Sequence, residues 1–268
     1  MAFYKILIVG FGTMTGAMVE GWLKAGSDPS RFEVYHPTKQ AVAHGLQVHN
    51  VWPDTEFDAV LLGVKPHMID DVKDGLEPIL GPDTVLISVL AGIELESYSR
   101  RFPRAGGIVR FMPNLAVALG KSPNALCAAG LDDIKRENVT QLASEIGTAE
   151  WLDDEGQFNL VTALAGSGPG FVYRFIDALA AGAHSLGLDK KQAERLAVAM
   201  VDGAGALASR SEHSPHELAR RVASPGGMTQ KGLDVLDEGG SLNDLMTQCL
   251  RAARDRGAEM AEEAREKG

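Results

Sequence analysis

The chain has 268 residues, of which 45% are hydrophobic and 23% charged, and its formal net charge is −10. This composition is typical of a globular protein with one large or two modest domains, each long enough to bury a core. The negative charge argues against nucleic acid or an anionic membrane surface as a partner.

The N-terminal residues enter a strand-like apolar run at once, without the basic and then apolar pattern of a secretion signal. The longest apolar stretch, residues 84–93, has about half the length that a membrane helix needs. Two cysteines, Cys127 and Cys249, lie in apolar contexts and are expected to be free thiols in a reducing compartment. We therefore expect a cytoplasmic protein that does not contact a membrane.

Short apolar runs alternate with segments of helical sequence pattern through the first half of the chain. Several runs are apolar without interruption, which is typical of parallel strands with both faces covered. Helical patterns lie between them, as at 15–26 and 132–147. The alternation predicts a doubly wound α/β sheet in a Rossmann-type domain of residues 1–154. The predicted strands are 5–10, 32–36, 58–65, 84–90, 107–112, 125–130 and 149–154.

The strand pattern ends near residue 155, and the sequence pattern of the rest of the chain is helical. Residues 158–187 are apolar around most of a helix circumference, and residues 191–210 are rich in Ala and Gly. Helices that are apolar all round must be buried, and small residues let helix backbones approach closely. A domain of this size cannot bury so much apolar surface alone. We predict that residues 155–268 form an all-α dimerisation domain with interleaved helices.

A glycine-rich turn follows the first predicted strand. Gly10 and Gly12 stand where the dinucleotide fingerprint needs a tight turn and close approach of the pyrophosphate, with Thr13 and Met14 opening the helix. Thr15 occupies the third glycine position of that fingerprint, so the match is imperfect. The alternative is a glycine turn that binds nothing.

The end of the second predicted strand bears on which dinucleotide binds. An NAD site usually has an acid there for the ribose hydroxyls, but Glu33 lies inside the strand and the next acid is Asp54. His36, Thr38 and Lys39 instead offer donors and positive charge suited to a 2′-phosphate. The sequence favours NADPH, with NADH possible; the alternative is a solvated loop.

Two further loops follow predicted strands and contain proline. Proline directs the chain away from the sheet at its carboxyl edge, where open α/β folds bind ligands. These loops supply further cofactor candidates, although each could be ordinary loop. The candidates are Val64, Lys65 and Pro66 in the first loop, and Met112, Pro113 and Asn114 in the second.

A Ser-Pro-Gly-Gly sequence, residues 224–227, interrupts the helical half. Glycines before a helix let free N–H groups converge on an anion at the positive end of the helix dipole. Taken alone, the stretch is better explained as a plain turn between helices. The seven histidines are scattered without ligand-type spacing, and we predict no metal site.

These motifs, in this order, resemble the pyrroline-5-carboxylate reductase family over almost the whole chain. The most specific are the Gly-Ser-Gly-Pro stretch at 166–169 and the Ser-Pro-Gly-Gly stretch. The resemblance implies NADPH- or NADH-dependent reduction of 1-pyrroline-5-carboxylate to L-proline, the last step of proline synthesis. It also implies a homodimer through the helical domain, often assembled into a decamer.

The resemblance assigns the substrate carboxylate to the turn at 224–229. The substrate-binding residues it implies are Ser224, Gly226, Gly227, Met228 and Thr229. Ser224 and the N–H groups of Gly227 and Met228 would hold the carboxylate, and the Thr229 hydroxyl would face the ring nitrogen as the catalytic contact. A protonated cyclic imine is ready to accept hydride, so the protein mainly has to orient it, a contribution of up to roughly 10 kcal/mol.

Several positions depart from the family pattern, and they keep alternatives open. Leu115-Ala116 stands where the family has Thr-Pro, Thr15 where it has Gly, and Gly170-Phe171 where it has Ala-Tyr. The first change leaves room for a related cyclic-imine reductase with another ring, or for a non-catalytic NADP-binding paralogue. A 3-hydroxyacid dehydrogenase is disfavoured because residues 166–180 lack the lysine that its acid–base chemistry needs.

Overall fold

The computed structural model describes residues 3–266 of the chain. Eight strands form one sheet: β1 Ile6–Val9, β2 Phe32–Tyr35, β3 Gln47–His49, β4 Ala59–Leu62, β5 Val85–Ser88, β6 Gly107–Met112, β7 Ser122–Ala129 and β8 Gly147–Trp151. Ten helices accompany them: α1 Thr13–Lys24, α2 Ile69–Leu76, α3 Leu95–Arg101, α4 Asp133–Ser144, α5 Phe158–Val161, α6 Gly168–Ser185, α7 Lys190–Ala208, α8 Pro215–Val222, α9 Met228–Asp237 and α10 Ser241–Glu266. A single π-helical turn, Thr162–Gly166, follows α5.

The sheet has the order β3-β2-β1-β4-β5-β6-β7-β8. The strands from β1 to β6 pair in parallel, β7 runs antiparallel to β6, and β8 is parallel to β7. The order reverses beside β1, the topological switch point at which such folds bind ligands. The predicted mostly parallel Rossmann-type sheet is confirmed.

Helices cover both faces of the sheet, because alternate strand residues point to opposite sides. Ile6 and Ile8 belong to the core beneath α1 and α4, whereas Leu7 and Val9 belong to the core beneath α2 and α3. Trp22 of α1 is fully buried and donates from Nε1 to the Leu142 carbonyl of α4 at 2.9 Å. The first of these cores holds α1 against the sheet, and with it the glycine turn.

The contacts within the chain define two compact units. The first, which we call the sheet unit, consists of two segments: the chain up to Ser167, and the C-terminal segment that begins at Ala252. The second, which we call the helical unit, is Gly168–Arg251. The segment 155–167 therefore packs with the sheet, and Phe158 is fully buried there. The domain boundary expected at 154/155 remains a prediction about the functional modules.

The helical unit has almost no core of its own. Its buried hydrophobic side chains, among the described residues, are Ala180, Ala193 and Ala197, where α6 packs on α7. Many larger apolar side chains are about half exposed or more, among them Phe175, Leu196, Met200 and Leu207. Helix α7 presents the last three on one stripe, as expected from their helical spacing. Among residues 3–266, no helix has the length and hydropathy to cross a bilayer.

Candidate active site

The glycine turn after β1 has the shape of a pyrophosphate site. Gly10 adopts a φ of +87°, and a Cβ built there would lie 2.9 Å from Cγ1 of Val64. A Cβ on Gly12 would meet nothing within 4 Å, so Gly12 leaves open space at the start of α1. The N–H groups of Thr13 and Met14 have no acceptor among residues 3–266. Free N–H groups at a helix N-terminus are suited to an anion.

The loop after β2 brings a cation to this turn. The Nζ of Lys39 donates to the Phe11 carbonyl at 2.6 Å. His36 Nδ1 accepts from the N–H of Thr38 at 3.3 Å and of Lys39 at 3.2 Å. Burial, together with the positive charge of Lys39, lowers the pKa of His36 below its usual value, which favours the neutral ring.

An open cavity of about 660 Å³ joins the glycine turn to the loop after β2. It is lined by Phe11, Gly12, Thr13, Lys39 and residues 41–43. The predicted phosphate residues Lys39 and Thr13 thus come together at one cavity, whereas His36 and Thr38 contribute by shaping the loop. A 2′-phosphate beside the exposed ammonium of Lys39 would gain a charge-assisted hydrogen bond.

Glu33, which lies inside β2, is paired with side chains away from the glycine turn. Its carboxylate lies 2.6 Å from Nε2 of His49 and 3.2 Å from Nζ of Lys5. Asn50, which follows β3, was not anticipated from the sequence. Its Nδ2 donates to the carbonyls of His36 at 2.8 Å and Lys39 at 2.7 Å, and so fastens the loop.

The loop after β4 carries the next group of candidates. Val64 packs against Gly10, while the Lys65 side chain is exposed. Pro66 begins a single 3-10 turn, Pro66–Met68, which follows the extended backbone of Lys65. These residues lie at the carboxyl edge of the sheet, next to the glycine turn.

Asn114, after β6, is bonded within the protein. Its Oδ1 accepts from the Ala116 N–H at 2.8 Å, and its Nδ2 donates to the Ala165 carbonyl at 2.9 Å. Met112 and Pro113 are buried before it. The structure therefore gives Asn114 a role in joining the loop to the π-helical turn, and its cofactor contact remains a prediction. Leu115, the departure from the family pattern, is 52% exposed.

In the helical unit, the Ser-Pro-Gly-Gly stretch forms a tight turn before α9. The Gly227 N–H donates to the Ser224 carbonyl at 2.9 Å, and Gly226 has a φ of +69°. Proline followed by a residue of positive φ is the signature of a type II turn. A Cβ on Gly227 would overlap Oγ of Ser224.

The turn leaves the first N–H groups of α9 free, although not all those expected. The Gly227 N–H, assigned to the carboxylate from the sequence, is used within the turn. The N–H groups of Met228, Thr229 and Gln230 have no acceptor among residues 3–266. Met228 is 94% exposed and Thr229 is exposed as well, so an anion can reach this helix start. Gln230 was not anticipated from the sequence.

No three His, Cys, Asp or Glu side chains converge on a point within the part of the chain that the structure describes. The two candidate sites instead offer backbone N–H groups, hydroxyls and one lysine. Such groups bind anions and orient a substrate, which suits a reaction whose electrons come from a dinucleotide.

Comparisons with known proteins agree with this geometry. Residues 155–260 match the family model for pyrroline-5-carboxylate reductase dimerisation, and residues 5–92 match the model described as NADP oxidoreductase, coenzyme F420-dependent. A solved pyrroline-5-carboxylate reductase from Coxiella burnetii superposes with a TM-score of 0.88 at 30% identity, covering 96% of this chain and 98% of that one. The NADP-bound Plasmodium falciparum enzyme superposes with a TM-score of 0.80 at 22% identity, over 96% and 98% of the chains, and this likeness concerns the fold alone.

Full-length relatives carry the assignment. The pyrroline-5-carboxylate reductase of Pseudomonas aeruginosa is 33% identical over 267 residues, with 97% of each chain covered. The pyrroline-5-carboxylate reductase of Pisum sativum is 32% identical over 259 residues, with 94% of each chain covered. The resemblance inferred from the motifs is confirmed: this chain belongs to the pyrroline-5-carboxylate reductase family.

Proposed function

We propose that this protein reduces 1-pyrroline-5-carboxylate to L-proline with NADPH. The observation that carries the proposal is the full-length match to pyrroline-5-carboxylate reductases, in a chain that keeps both the glycine turn at 10–12 and the turn at 224–227. The relatives take their name from this reaction. The match includes the helical module at 155–260, which distinguishes these enzymes from other dinucleotide-binding proteins.

The sheet unit would hold the dinucleotide. The free N–H groups of Thr13 and Met14 suit the pyrophosphate, and Lys39 suits the 2′-phosphate across the cavity. When bound, NADPH supplies the hydride for the imine carbon. Since Glu33 is paired with Lys5 and His49, it is not free to bind the ribose hydroxyls, and we infer a preference for NADPH with NADH as a weaker alternative.

The start of α9 would hold the substrate carboxylate. The Ser224 hydroxyl and the N–H groups of Met228 and Thr229 are the donors proposed for it, while Gly226 and Gly227 shape the turn. The Thr229 hydroxyl would bond to the ring nitrogen as the single catalytic contact. A cyclic imine that is already protonated needs no separate acid, so the protein acts by holding the reacting carbon in place.

We also propose a domain boundary, an oligomeric state and a cellular location for the enzyme. The functional modules would divide at 154/155, with the helical module forming a homodimer through interleaved helices. The half-exposed apolar side chains on α6 and α7 support such an interface. Assembly of dimers into a decamer is a further proposal from the family. Both cysteines are free, which agrees with a cytoplasmic location.

One observation favours a second candidate, reduction of a different cyclic imino acid. The family has Thr-Pro where Leu115 stands 52% exposed after β6, and this change removes a hydroxyl from a loop assigned to the nicotinamide. A larger apolar side chain can alter which ring fits. The six-membered imino acid is therefore the natural competitor in the assay.

The test is NADPH oxidation measured against 1-pyrroline-5-carboxylate, its six-membered homologue and plain 1-pyrroline. We expect the five-membered imino acid to have the highest kcat/KM and 1-pyrroline, which lacks the carboxylate, to be poor. A higher kcat/KM for the six-membered ring would establish the second candidate. Binding of NADPH without turnover of any of the three would identify a non-catalytic paralogue and overturn the proposal.

A further inference from the structure

Thr15 and Gly63 join two loops of the proposed dinucleotide site. Thr15 lies in the first turn of α1 and is 1% exposed. Its Oγ1 accepts from the Gly12 N–H at 3.0 Å and lies 3.2 Å from the Gly10 carbonyl, to which it donates. The hydroxyl therefore bonds to both glycines of the turn.

The methyl group of Thr15 faces the other loop. A Cβ built on Gly63, directly after β4, would overlap Cγ2 of Thr15. In the dinucleotide fingerprint, a glycine at the third position lets the helix pack closely on the strands. Here the side chain stands on the helix, and the strand end carries the glycine. The methyl group of Thr15 therefore occupies the space that a side chain at residue 63 would need.

We propose that Thr15 is a positioning residue for the cofactor site. It fixes the position of the glycine turn relative to the loop after β4, residues 63–67. Its hydroxyl holds the turn, and its methyl group sets the spacing to Gly63. Because the Gly12 N–H is bonded to Thr15, the pyrophosphate depends on the N–H groups of Thr13 and Met14. This inference rests on the proposed dinucleotide site and adds a determinant of its geometry.

The hydroxyl and the methyl group can be tested separately. Thr15→Val keeps the shape of the side chain but removes its two part-buried hydrogen bonds, to the Gly12 N–H and the Gly10 carbonyl, which loosens the turn. We expect Kd to rise about tenfold for NADP⁺ and by the same factor for NAD⁺, because both share the pyrophosphate. Thr15→Ser keeps the hydroxyl, and its Kd values should stay within about threefold of wild type.

A paired exchange tests the spacing. Gly63→Ala alone places a methyl group on Cγ2 of Thr15, and we expect Kd to rise at least about tenfold. The double variant Thr15→Ser with Gly63→Ala moves the methyl group from the helix back to the strand end. It should recover dinucleotide Kd values to within about threefold of wild type, since total volume is conserved.

Calorimetric titration of both dinucleotides, with melting temperature measured on the same samples, decides the matter. Thr55→Val makes the same change at an exposed threonine in the loop before β4 and should leave Kd unchanged. A lower melting temperature in Thr15→Val with unchanged Kd values would show a merely structural role and overturn the inference. The inference would also be overturned if the double variant bound the dinucleotides as weakly as Gly63→Ala does. Wild-type protein that binds neither dinucleotide would instead overturn the proposed function itself, and this inference with it.

Discussion

The two units of this protein bury their side chains very differently. The sheet unit buries residues as large as Trp22 and Phe111 completely, whereas the hydrophobic side chains buried in the helical unit are three alanines. In the helical unit, Phe175 and Met200 are about half exposed. The sheet unit thus carries a complete core within one chain, while the helical unit needs the partner that its family model describes. The unit proposed to bind the cofactor thus has a complete core in the monomer, whereas the unit that carries the proposed substrate turn is expected to bury its apolar surface in a dimer.

The largest effect should come from placing a charge on the apolar stripe of α7. Met200→Asp would bury an unpaired carboxylate in the dimer, at a cost of about 4 kcal/mol, or roughly 1,000-fold in dimer affinity. We expect light scattering at low micromolar concentration to show monomer without imine-reducing activity. Gln192→Asp, which adds the same charge at an exposed position of α7, should remain dimeric. A fully active monomer would contradict the contrast between the units.

Gly227→Val should have the second largest effect, and this effect should be confined to the helical unit. Its side chain would overlap Oγ of Ser224 and deform the turn that precedes α9. We expect kcat/KM for 1-pyrroline-5-carboxylate to fall at least about 100-fold, while Kd for NADPH stays near wild type.

Two comparisons sharpen that measurement. Gly232→Ala adds a Cβ inside α9 where nothing lies within 4 Å, so it should be nearly silent. Plain 1-pyrroline has no carboxylate to lose. If Gly227→Val slows 1-pyrroline as much as the carboxylate substrate, the turn does not bind the anion.

Thr229→Ala should give a smaller loss within the same turn. Removing the hydroxyl proposed to face the ring nitrogen costs one hydrogen bond, about 1.4–2.7 kcal/mol or roughly 10- to 100-fold in kcat/KM. Thr247→Ala removes an exposed hydroxyl that bonds only within α10 and serves as the control. Equal kinetics in the two variants would remove Thr229 from the catalytic role.

Lys39→Ala tests the sheet unit. Loss of the ammonium from the edge of the cavity should reduce the preference for NADPH over NADH about tenfold, or about 1.4 kcal/mol, because the contact is partly exposed. The ratio of kcat/KM for the two cofactors is the readout. Lys24→Ala, an exposed lysine on α1, should leave that ratio unchanged. A wild-type enzyme that uses both cofactors equally would show that the loop does not select for phosphate.

The smallest effect concerns the titration of His36. Burial, and then the charge of Lys39, lower its pKa, so its neutral ring is stabilised by folding. This contribution to stability is present above the ordinary histidine pKa of about 6.5 and is lost as pH falls through that value toward the lowered one. NMR titration should place the His36 pKa below that of an exposed histidine, and Lys39→Ala should raise it. An unshifted value would indicate that the loop does not hold the ring.

Much of the sheet unit could be predicted because its signals are local. Mostly apolar runs such as residues 5–10 and 84–90 predict buried parallel strands, and a glycine turn between strand and helix predicts the dinucleotide site. Strand β3 was not predicted, since Gln47–His49 is three residues long and mostly polar. Asn50, which follows it, was missed for the same reason.

Other features depend on contacts between residues far apart in the sequence. Nothing in the sequence around Thr15 shows that its methyl group lies against Gly63, and nothing near 155–167 shows that this segment packs with the sheet. The Gly227 N–H was expected to bind the substrate, but the proline-glycine geometry uses it to close the turn. Resemblance to the family predicts the region of the site, whereas the hydrogen-bonding state of each N–H group depends on the three-dimensional turn.

Helix α10 divides its 26 residues between the two units, with residues from Ala252 onward grouped with the sheet. At 1.5 Å per residue it is about 39 Å long. Near its end, Ala261 is 2% exposed, and the backbone of Met260 lies against Gly92 in the loop after β5. A dinucleotide domain excised by one cut after residue 167 would lose this cover and expose apolar surface. Transplanting the domain into a chimaera or expressing it alone therefore requires the C-terminal segment that begins at Ala252 to be supplied as well.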